Sequence, residues 1–414
     1  MSTSLQINPG RLQSDFDALA AIGATAGGGV NRPALSPAHL AARALFAAQV
    51  KQAGLALQID GAGNHSAILR CPNKSAPTLL LGSHLDSVPE GGRYDGALGV
   101  LAALEVLRSI QEAGLKLPVH LEAIDFTDEE GTLVGFIGSG ALCGTLTPHD
   151  LQNPRGGRQA LLAGLARAGL REDGLFTARR DPAALAGYLE LHIEQGPRLF
   201  NAGDAIGVVT GIVGIASYRM AFTGRANHAG TTPMAARRDA GLGAAGFILA
   251  ARRLVMEAFP GCVANVGALQ LEPGAFNIVP GRAELALECR AEDEDTLERL
   301  QTRLLAQAEQ EAERYGLGLE VTVLGRHAPA PMSQQVQQAI ETAAADLGLC
   351  TQRMPSGAGH DAQNLALVCP TGMIFVPSVD GISHSPQESS RWEDCLNGAS
   401  VLLGAALHLS QNTH

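Results

Sequence analysis

An α/β fold is predicted for this 414-residue chain: a mostly parallel sheet sandwiched by helices, interrupted by an inserted βαββαβ unit. Three observations predict it. Short Leu/Ile/Val runs that end in Gly, Asp, Ser or Pro alternate with Ala/Leu-rich helical stretches, the pattern of parallel strands joined by crossover helices. Past Gly207 that alternation gives way to strand, helix, strand, strand, helix, strand, a split-βαβ order typical of ferredoxin-like domains. After Pro331 the α/β pattern resumes. The larger domain is therefore expected to be discontinuous, residues 1–209 with 331–414, around an insertion at 210–330; 414 residues exceed one ordinary core.

In chain order, Arg11–Ala21 and Pro37–Ala53 have helical spacing, with Ser36 as an N-cap before Pro37. Gln58–Arg70 and Thr78–Leu81 read as strands, and Gly96–Glu112 as a long helix stopped at Gly114. Strands are expected at Val119–Phe126 and Tyr188–Ile193. The insertion reads as a strand at Ile215–Phe222, a helix at Asp239–Met256, strands at Cys262–Gln270 and Ala283–Arg290, a helix at Asp293–Tyr315 and a strand at Gly318–Leu324. A helix at Ser333–Leu347, a strand at Met373–Val376 and a closing helix at Pro386–His408 complete the larger domain.

Hydrophobic residues make up 46 % of the chain, enough for a sizeable interior. The net charge of −11 argues against a nucleic-acid or anionic-membrane surface. Seven Cys without a CxxC pair suggest a reducing cytoplasm rather than a disulfide framework. The N-terminal stretch has no basic leader region and is broken by Asp15 and Asp17, so no signal peptide is expected. No run reaches the ~18 apolar residues of a membrane span.

The chemistry-bearing residues gather past the ends of apolar runs: "PTLLLGSHLDSVPEGGRYDG", "VHLEAIDFTDEEG", "YLELHIEQG" and "GMIFVPSVDGISH". In an open α/β sheet the crevice beyond the strands' carboxyl ends collects such residues, however distant in sequence. The candidate metal ligands are His84, Asp95, Glu130, His192 and His384. Three imidazoles with carboxylates suit a pair of borderline divalent cations.

Each residue also has a plainer reading. Asp86, two residues past His84, is placed to hold the second nitrogen of that ring. Asp95 is either a helix cap or a carboxylate bridging two cations. Asp125, Asp128, Glu129 and Glu130 form either a solvated acidic loop or a crevice edge whose repulsion calls for a cation. In the second case one Glu of the adjacent pair ligates and the other serves as general base. His192 and His384 taken singly are core histidines as readily as ligands. His228, in "NHAGTTPM", is a loop histidine with no metal partner nearby in sequence. Arg290 ends an alternating strand and suits either a substrate carboxylate or a surface ion pair. "SGAGHDA", with Gly359, resembles a weak anion or carbonyl cradle before a helix, and His360–Asp361 read as structural support.

The strings "GSHLDSVPEGGRYDG", "DEEG", "LHIEQGP", "NHAGTTPM" and "SGAGHDA" together resemble the zinc amidohydrolases of the M20 peptidase clan. They are most similar to its hydantoinase/carbamoylase branch of N-carbamoyl-L-amino-acid hydrolases, allantoate amidohydrolases and yeast-type β-ureidopropionases. The resemblance implies a zinc-exopeptidase-like catalytic domain with a ferredoxin-like insertion that mediates a homodimer. It implies two divalent ions per subunit, Zn²⁺ first, with Mn²⁺, Co²⁺ or Ni²⁺ as alternatives. Asp95 would bridge them and Glu129 would be the general base. Gln195, His228, Asn277, Arg290 and Gly359 match substrate-contacting positions, with His228 reaching the partner's active site. The implied reaction is hydrolysis of the ureido C–N bond of N-carbamoyl-L-amino acids, with allantoate or N-carbamoyl-β-alanine as alternative substrates. An aminoacylase or peptidase of the wider clan ranks lower. A non-catalytic metal-binding homologue would need a lost ligand or base, and neither is lost.

Overall fold

The computed structural model describes residues 5–411. The chain ends expected at residues 1 and 414 of the larger domain lie outside them. The chain divides into two compact units, one joining the segments that end at Thr210 and begin again at Met332, the other running from Gly211 to Pro331.

The larger unit is built on a nine-stranded sheet. Its four central strands, in the order His120–Phe126, Thr78–His84, Leu185–Ile193 and Thr371–Val376, are parallel. They are buried along nearly their whole length, which is why they read as unbroken apolar runs rather than alternating ones. The flanks are antiparallel. His65–Leu69 pairs with His120–Phe126, and Ile206–Ile212 pairs with Thr371–Val376. The strand expected at Gln58–Arg70 is instead a hairpin of Ala56–Ile59 and His65–Leu69. Its turn is made by Asp60, whose Oδ1 accepts from the backbone N–H groups of Ala62 and Asn64 at 2.9 and 3.0 Å.

Helix Ala97–Glu112 is buried on every side from Ala97 to Ile110, as its Ala/Leu composition demands. It packs with Pro9–Ala20 and Trp392–Gln411 into the main core. Ser36 and Asn8 act as N-caps, each accepting from the backbone N–H three residues on. The closing helix begins at Trp392 rather than at Pro386, and the preceding residues form a loop that returns to the sheet's carboxyl edge. A smaller cluster of Leu35, Leu133, Ile137 and Leu161 gathers around the loop after His120–Phe126.

The smaller unit has a four-stranded antiparallel sheet in the order Gly318–His327, Gly214–Thr223, Arg282–Ala291, Val263–Glu272. Helices Ala240–Ala258 and Glu294–Arg314 share its core. Strand Arg282–Ala291 alternates strictly between buried and half-buried residues, so one sheet face meets the helices and the other does not. Among the described residues no helix is long and apolar enough to cross a membrane.

Candidate metal centre

The sheet's carboxyl edge brings together side chains from three strand ends and from the loop between Thr371–Val376 and Trp392. His84 is the last residue of its strand and lies opposite Phe126, the last residue of the neighbouring one. His192 sits one residue from the end of Leu185–Ile193, opposite Phe375. Both rings point their Nδ1 at a backbone carbonyl: His84 at Asp86 O (3.0 Å), His192 at Ile193 O (2.9 Å). A carbonyl only accepts, so Nδ1 carries a hydrogen, and Nε2 is the nitrogen turned inward.

Asp95 meets both Nε2 atoms. Its Oδ1 lies 3.5 Å from His84 Nε2 and 3.0 Å from His192 Nε2, while Oδ2 lies 3.4 Å from His384 Nε2. The same His384 nitrogen is 3.4 Å from Glu130 Oε2. Two trios result, His84–Asp95–His192 and Asp95–Glu130–His384, and Asp95 belongs to both. The capping reading of Asp95 fails: the N-cap of helix Ala97–Glu112 is Gly96, and no side chain caps it. Gly96 holds φ +65°, and a Cβ there would overlap the His84 ring, so only glycine lets the helix start against the imidazole.

The acidic loop divides its four carboxylates in two. Asp125 is buried, bonded to Arg43 Nε at 2.7 Å and to the Leu85 N–H at 2.8 Å. Asp128, at φ +60°, accepts from the N–H groups of Leu133, Val134 and Gly135 at 3.0, 2.7 and 2.8 Å and folds the following turn. Only Glu129 and Glu130 face the centre, so the expected repulsion of four acids is relieved for two of them without a cation. Arg43 is buried with its partner, and Arg43→Ala would strand the Asp125 carboxylate. That variant is expected to lose about 3–5 kcal/mol of stability in a denaturant melt; an unchanged midpoint would contradict the pairing.

Asp86 does not hold the His84 ring through its carboxylate, as expected from sequence; Oδ1 stays 3.8 Å from Nδ1. Its backbone carbonyl does that, and its carboxylate accepts instead from the Glu129 and Glu130 N–H groups, each at 3.3 Å. Gln195, at φ +58°, spends its Nε2 on Asp95 Oδ2 (2.8 Å) and Ser383 Oγ (3.3 Å), and its Oε1 is buried without a partner. The Gly359 loop closes on itself: the Ala358 N–H reaches Ser356 Oγ at 3.1 Å, and that hydroxyl lies 2.8 Å from His360 Nε2. A Cβ at Gly359 would come within 3.1 Å of the Phe136 ring.

Two supports, Glu190 and Glu388, were not legible in the sequence; a third, Asp361, was expected there as structural support. Glu190, inside the strand, accepts from Ser83 Oγ (2.8 Å) and the Ala362 N–H (3.0 Å), and it groups with His192 and His360. Asp361 is fully buried beside it. Glu388 accepts from the Tyr94 and Asp95 N–H groups at 2.9 and 3.1 Å. The signal for Glu190 was a lone acid in an otherwise apolar strand; for Glu388 there was none.

His228, Asn277 and Arg290 lie in the smaller unit. Asn227–His228 pairs with Ile278–Val279, and Ala229 N–H donates to Asn277 O at 3.0 Å, so His228 and Asn277 are neighbours on one exposed ribbon. His228 Nδ1 accepts from the Gly230 and Thr231 N–H groups (3.1 and 3.3 Å), which leaves the proton on Nε2. Arg290 is bonded to Glu288 at 2.8 Å through Nε, two residues along the same strand face.

The donor set fits divalent cations. His84 Nε2 is buried without a hydrogen-bond partner, amid imidazoles and carboxylates. Burial opposes charge on Asp95, yet the three imidazoles hold its pKa well below the ordinary range. Burial and the Asp95 charge push Glu130 up to about 8, and the hydrogen bond to Asp95 pushes His384 up to about 9. Both shifts are upward, so near pH 7 both groups hold protons that a cation must displace. Loading the metal-free protein with Zn²⁺ near pH 7 is expected to release at least about two protons, and the apparent affinity should climb as pH rises through 8 and 9. Calorimetry in buffers of different ionisation enthalpy measures this, and zero release would contradict it.

Comparison with known proteins agrees with this geometry. The sequence profile of peptidase family M20/M25/M40 matches residues 80–408. The chain is 40 % identical over 407 residues to an N-carbamoyl-L-amino acid amidohydrolase of Geobacillus stearothermophilus, covering 97 % of this chain and 98 % of the relative. It is 34 % identical over 414 residues to a ureidoglycolate hydrolase of Arabidopsis thaliana, covering 97 % and 87 %. A crystal structure of an amidase of the hydantoinase/carbamoylase family from Burkholderia multivorans superposes with a TM-score of 0.90 at 35 % identity, covering 99 % of this chain and all of the other. A family-wide match and full-length relatives named as amidohydrolases thus join a cluster of cation donors: the chain belongs to peptidase family M20/M25/M40, in its hydantoinase/carbamoylase branch, and is a metal-dependent amidohydrolase.

Proposed function

We propose that the chain hydrolyses the ureido C–N bond of N-carbamoyl-L-amino acids, giving the amino acid, ammonia and carbon dioxide. One observation carries the reading: two ligand trios share Asp95, and the Glu129 carboxylate lies beside them, 3.5 Å from His84 Nε2, as a member of neither. Full-length similarity to an N-carbamoyl-L-amino acid amidohydrolase supports this substrate class. Similarity to a ureidoglycolate hydrolase supports a second reading, a ureido acid with a hydroxyl beside its carboxylate.

His84, Asp95 and His192 would hold one cation, and Asp95, Glu130 and His384 the other, with Zn²⁺ the first choice. When bound, the pair supplies Lewis acidity at the carbonyl oxygen and lowers the pKa of water. Glu129 takes the proton of the attacking water and returns it to the leaving nitrogen. Asp86 aims Glu129 and Glu130 through their backbone N–H groups. Gln195 offers its free Oε1 to a ureido N–H. His228, with its proton on Nε2, and Asn277 donate to the oxyanion. Arg290 and the Gly359 loop take the substrate carboxylate.

We read the smaller unit as a ferredoxin-like dimerisation domain whose His228 serves a second copy. Its edge strand Val263–Glu272 exposes Val263, Leu269 and Leu271, and helix Ala240–Ala258 exposes Leu249 and Met256, apolar surface that suits a second copy. All seven cysteines are free, which supports a cytoplasmic setting.

The test is ammonia release from N-carbamoyl-L-amino acids, N-carbamoyl-β-alanine, allantoate and ureidoglycolate in parallel, with and without a chelator. Turnover of the first class, lost on chelation and restored by Zn²⁺ or Mn²⁺, is expected. Turnover confined to allantoate or ureidoglycolate would move the assignment within the branch. Turnover of none would overturn it.

A further inference from the structure

We infer that Glu388 is a positioning residue for the bridging carboxylate, acting by the direction it imposes on the Ser383 hydroxyl. Glu388 is 4 % exposed, and its Oε1 receives the Tyr94 and Asp95 N–H groups at 2.9 and 3.1 Å, so it grips the backbone that presents Asp95. Gly92 beside it tolerates no side chain, because a Cβ there would overlap the Glu388 carboxylate. The remaining oxygen, Oε2, lies 3.0 Å from Ser383 Oγ.

Ser383 has one proton and two acceptors. Its Oγ lies 3.0 Å from Glu388 Oε2 and 3.3 Å from Asp95 Oδ2, and it accepts from Gln195 Nε2 at 3.3 Å. A carboxylate at 388 only accepts, and at the shorter distance it takes the Ser383 proton. That choice decides what Asp95 Oδ2 has left. One of its lone pairs is already used by Gln195 Nε2 at 2.8 Å. With the Ser383 proton turned to Glu388, no hydroxyl competes for the second lone pair, which is left to the side where His384 Nε2 lies 3.4 Å away, the side of the Asp95–Glu130–His384 trio. With the proton turned to Asp95, both lone pairs are hydrogen-bonded and that oxygen ligates poorly.

Glu388→Gln keeps the shape and reverses the hydrogen bond. While the amide oxygen keeps the two backbone donors, the amide NH₂ faces Ser383, donates to its Oγ and sends the hydroxyl proton to Asp95 Oδ2. The inference rests on the two-cation reading of the same residues, and Co²⁺ separates the two. Metal-free wild-type protein titrated with Co²⁺ should take up two ions, followed by visible absorption. Glu388→Gln should take up the first with wild-type affinity and the second about 10- to 100-fold more weakly, the scale on which a hydrogen-bonded supporting residue affects a metal site. Adding Ser383→Ala removes the misdirected proton, so Glu388→Gln/Ser383→Ala should recover the second affinity. A merely structural role for Glu388 predicts no such rescue. Two equally tight ions in Glu388→Gln, or a double variant no better than the single one, overturns the inference. A wild-type protein that takes up fewer than two ions overturns the two-cation reading together with it.

Discussion

Glu129→Gln is expected to keep both cations and lose at least about a hundredfold in kcat, the scale of a general base removed. Glu129 belongs to neither ligand trio, so the substitution takes no donor from a cation. Its N–H is held by Asp86 Oδ1 at 3.3 Å, an anchor that a side-chain amide does not disturb. What changes is the proton affinity. Burial raises the Glu129 carboxyl well above its ordinary pKa, opposed by His84 and reinforced by Glu130, Asp361 and Asp95, so its affinity for a proton is high; an amide takes up none. Steady-state kinetics with metal analysis on the same sample reads both quantities. Full kcat with two bound ions would show that another group moves the proton.

Asp95→Asn is expected to cost both cations at once, with at least about a hundredfold loss of affinity at each, the upper end of what even a supporting residue costs. The argument is geometric. Each trio has only three protein donors, and Asp95 is the one they share. An amide there carries no charge and offers a single oxygen. The metal-free protein carries a second signature. His384 is held at about 9 chiefly by its hydrogen bond to Asp95, then by the Glu130 and Asp95 charges. Without the Asp95 charge its pKa should fall toward the ordinary imidazole range, so the ring sheds its proton at lower pH, which NMR titration follows. Retention of one tight cation by Asp95→Asn would mean that the bridging assignment is wrong.

The candidate ligands were legible because strand ends are legible. A buried parallel strand is an apolar run, its end is marked by Gly, Asp or Ser, and a His or Asp just beyond has one crevice to enter. His84 and His192 lie at strand ends, Asp95, Glu130 and His384 lie in loops that follow strands, and the structure gathers all five. Contacts decided by less than a residue's length were not legible. Asp86 was expected to use its carboxylate on His84, but the backbone carbonyl is nearer, and the carboxylate turns to the Glu129–Glu130 backbone. The four acids from Asp125 to Glu130 look alike in sequence; only the fold shows that Arg43 satisfies Asp125 and three backbone N–H groups satisfy Asp128. Glu388 sits in a polar stretch without periodicity, which read as the first turn of a helix that begins at Trp392. The antiparallel flanks escaped as well, because a short strand looks the same in either direction.

The position of Thr371–Val376 in the sheet has a consequence for how the molecule is made. This strand lies between Leu185–Ile193 and Ile206–Ile212, yet it is the last of them to leave the ribosome. Until it arrives, Leu185–Ile193 has an open edge on the side where its neighbour belongs, a hydrophobic template for any passing chain. The smaller unit, contiguous from Gly211 to Pro331, emerges complete during that interval. His384 comes later still, so the Asp95–Glu130–His384 trio closes only after that strand has emerged. The window of greatest aggregation hazard therefore coincides with a half-built metal site, and cation supply and chaperone protection bear on the same stage of the protein's life.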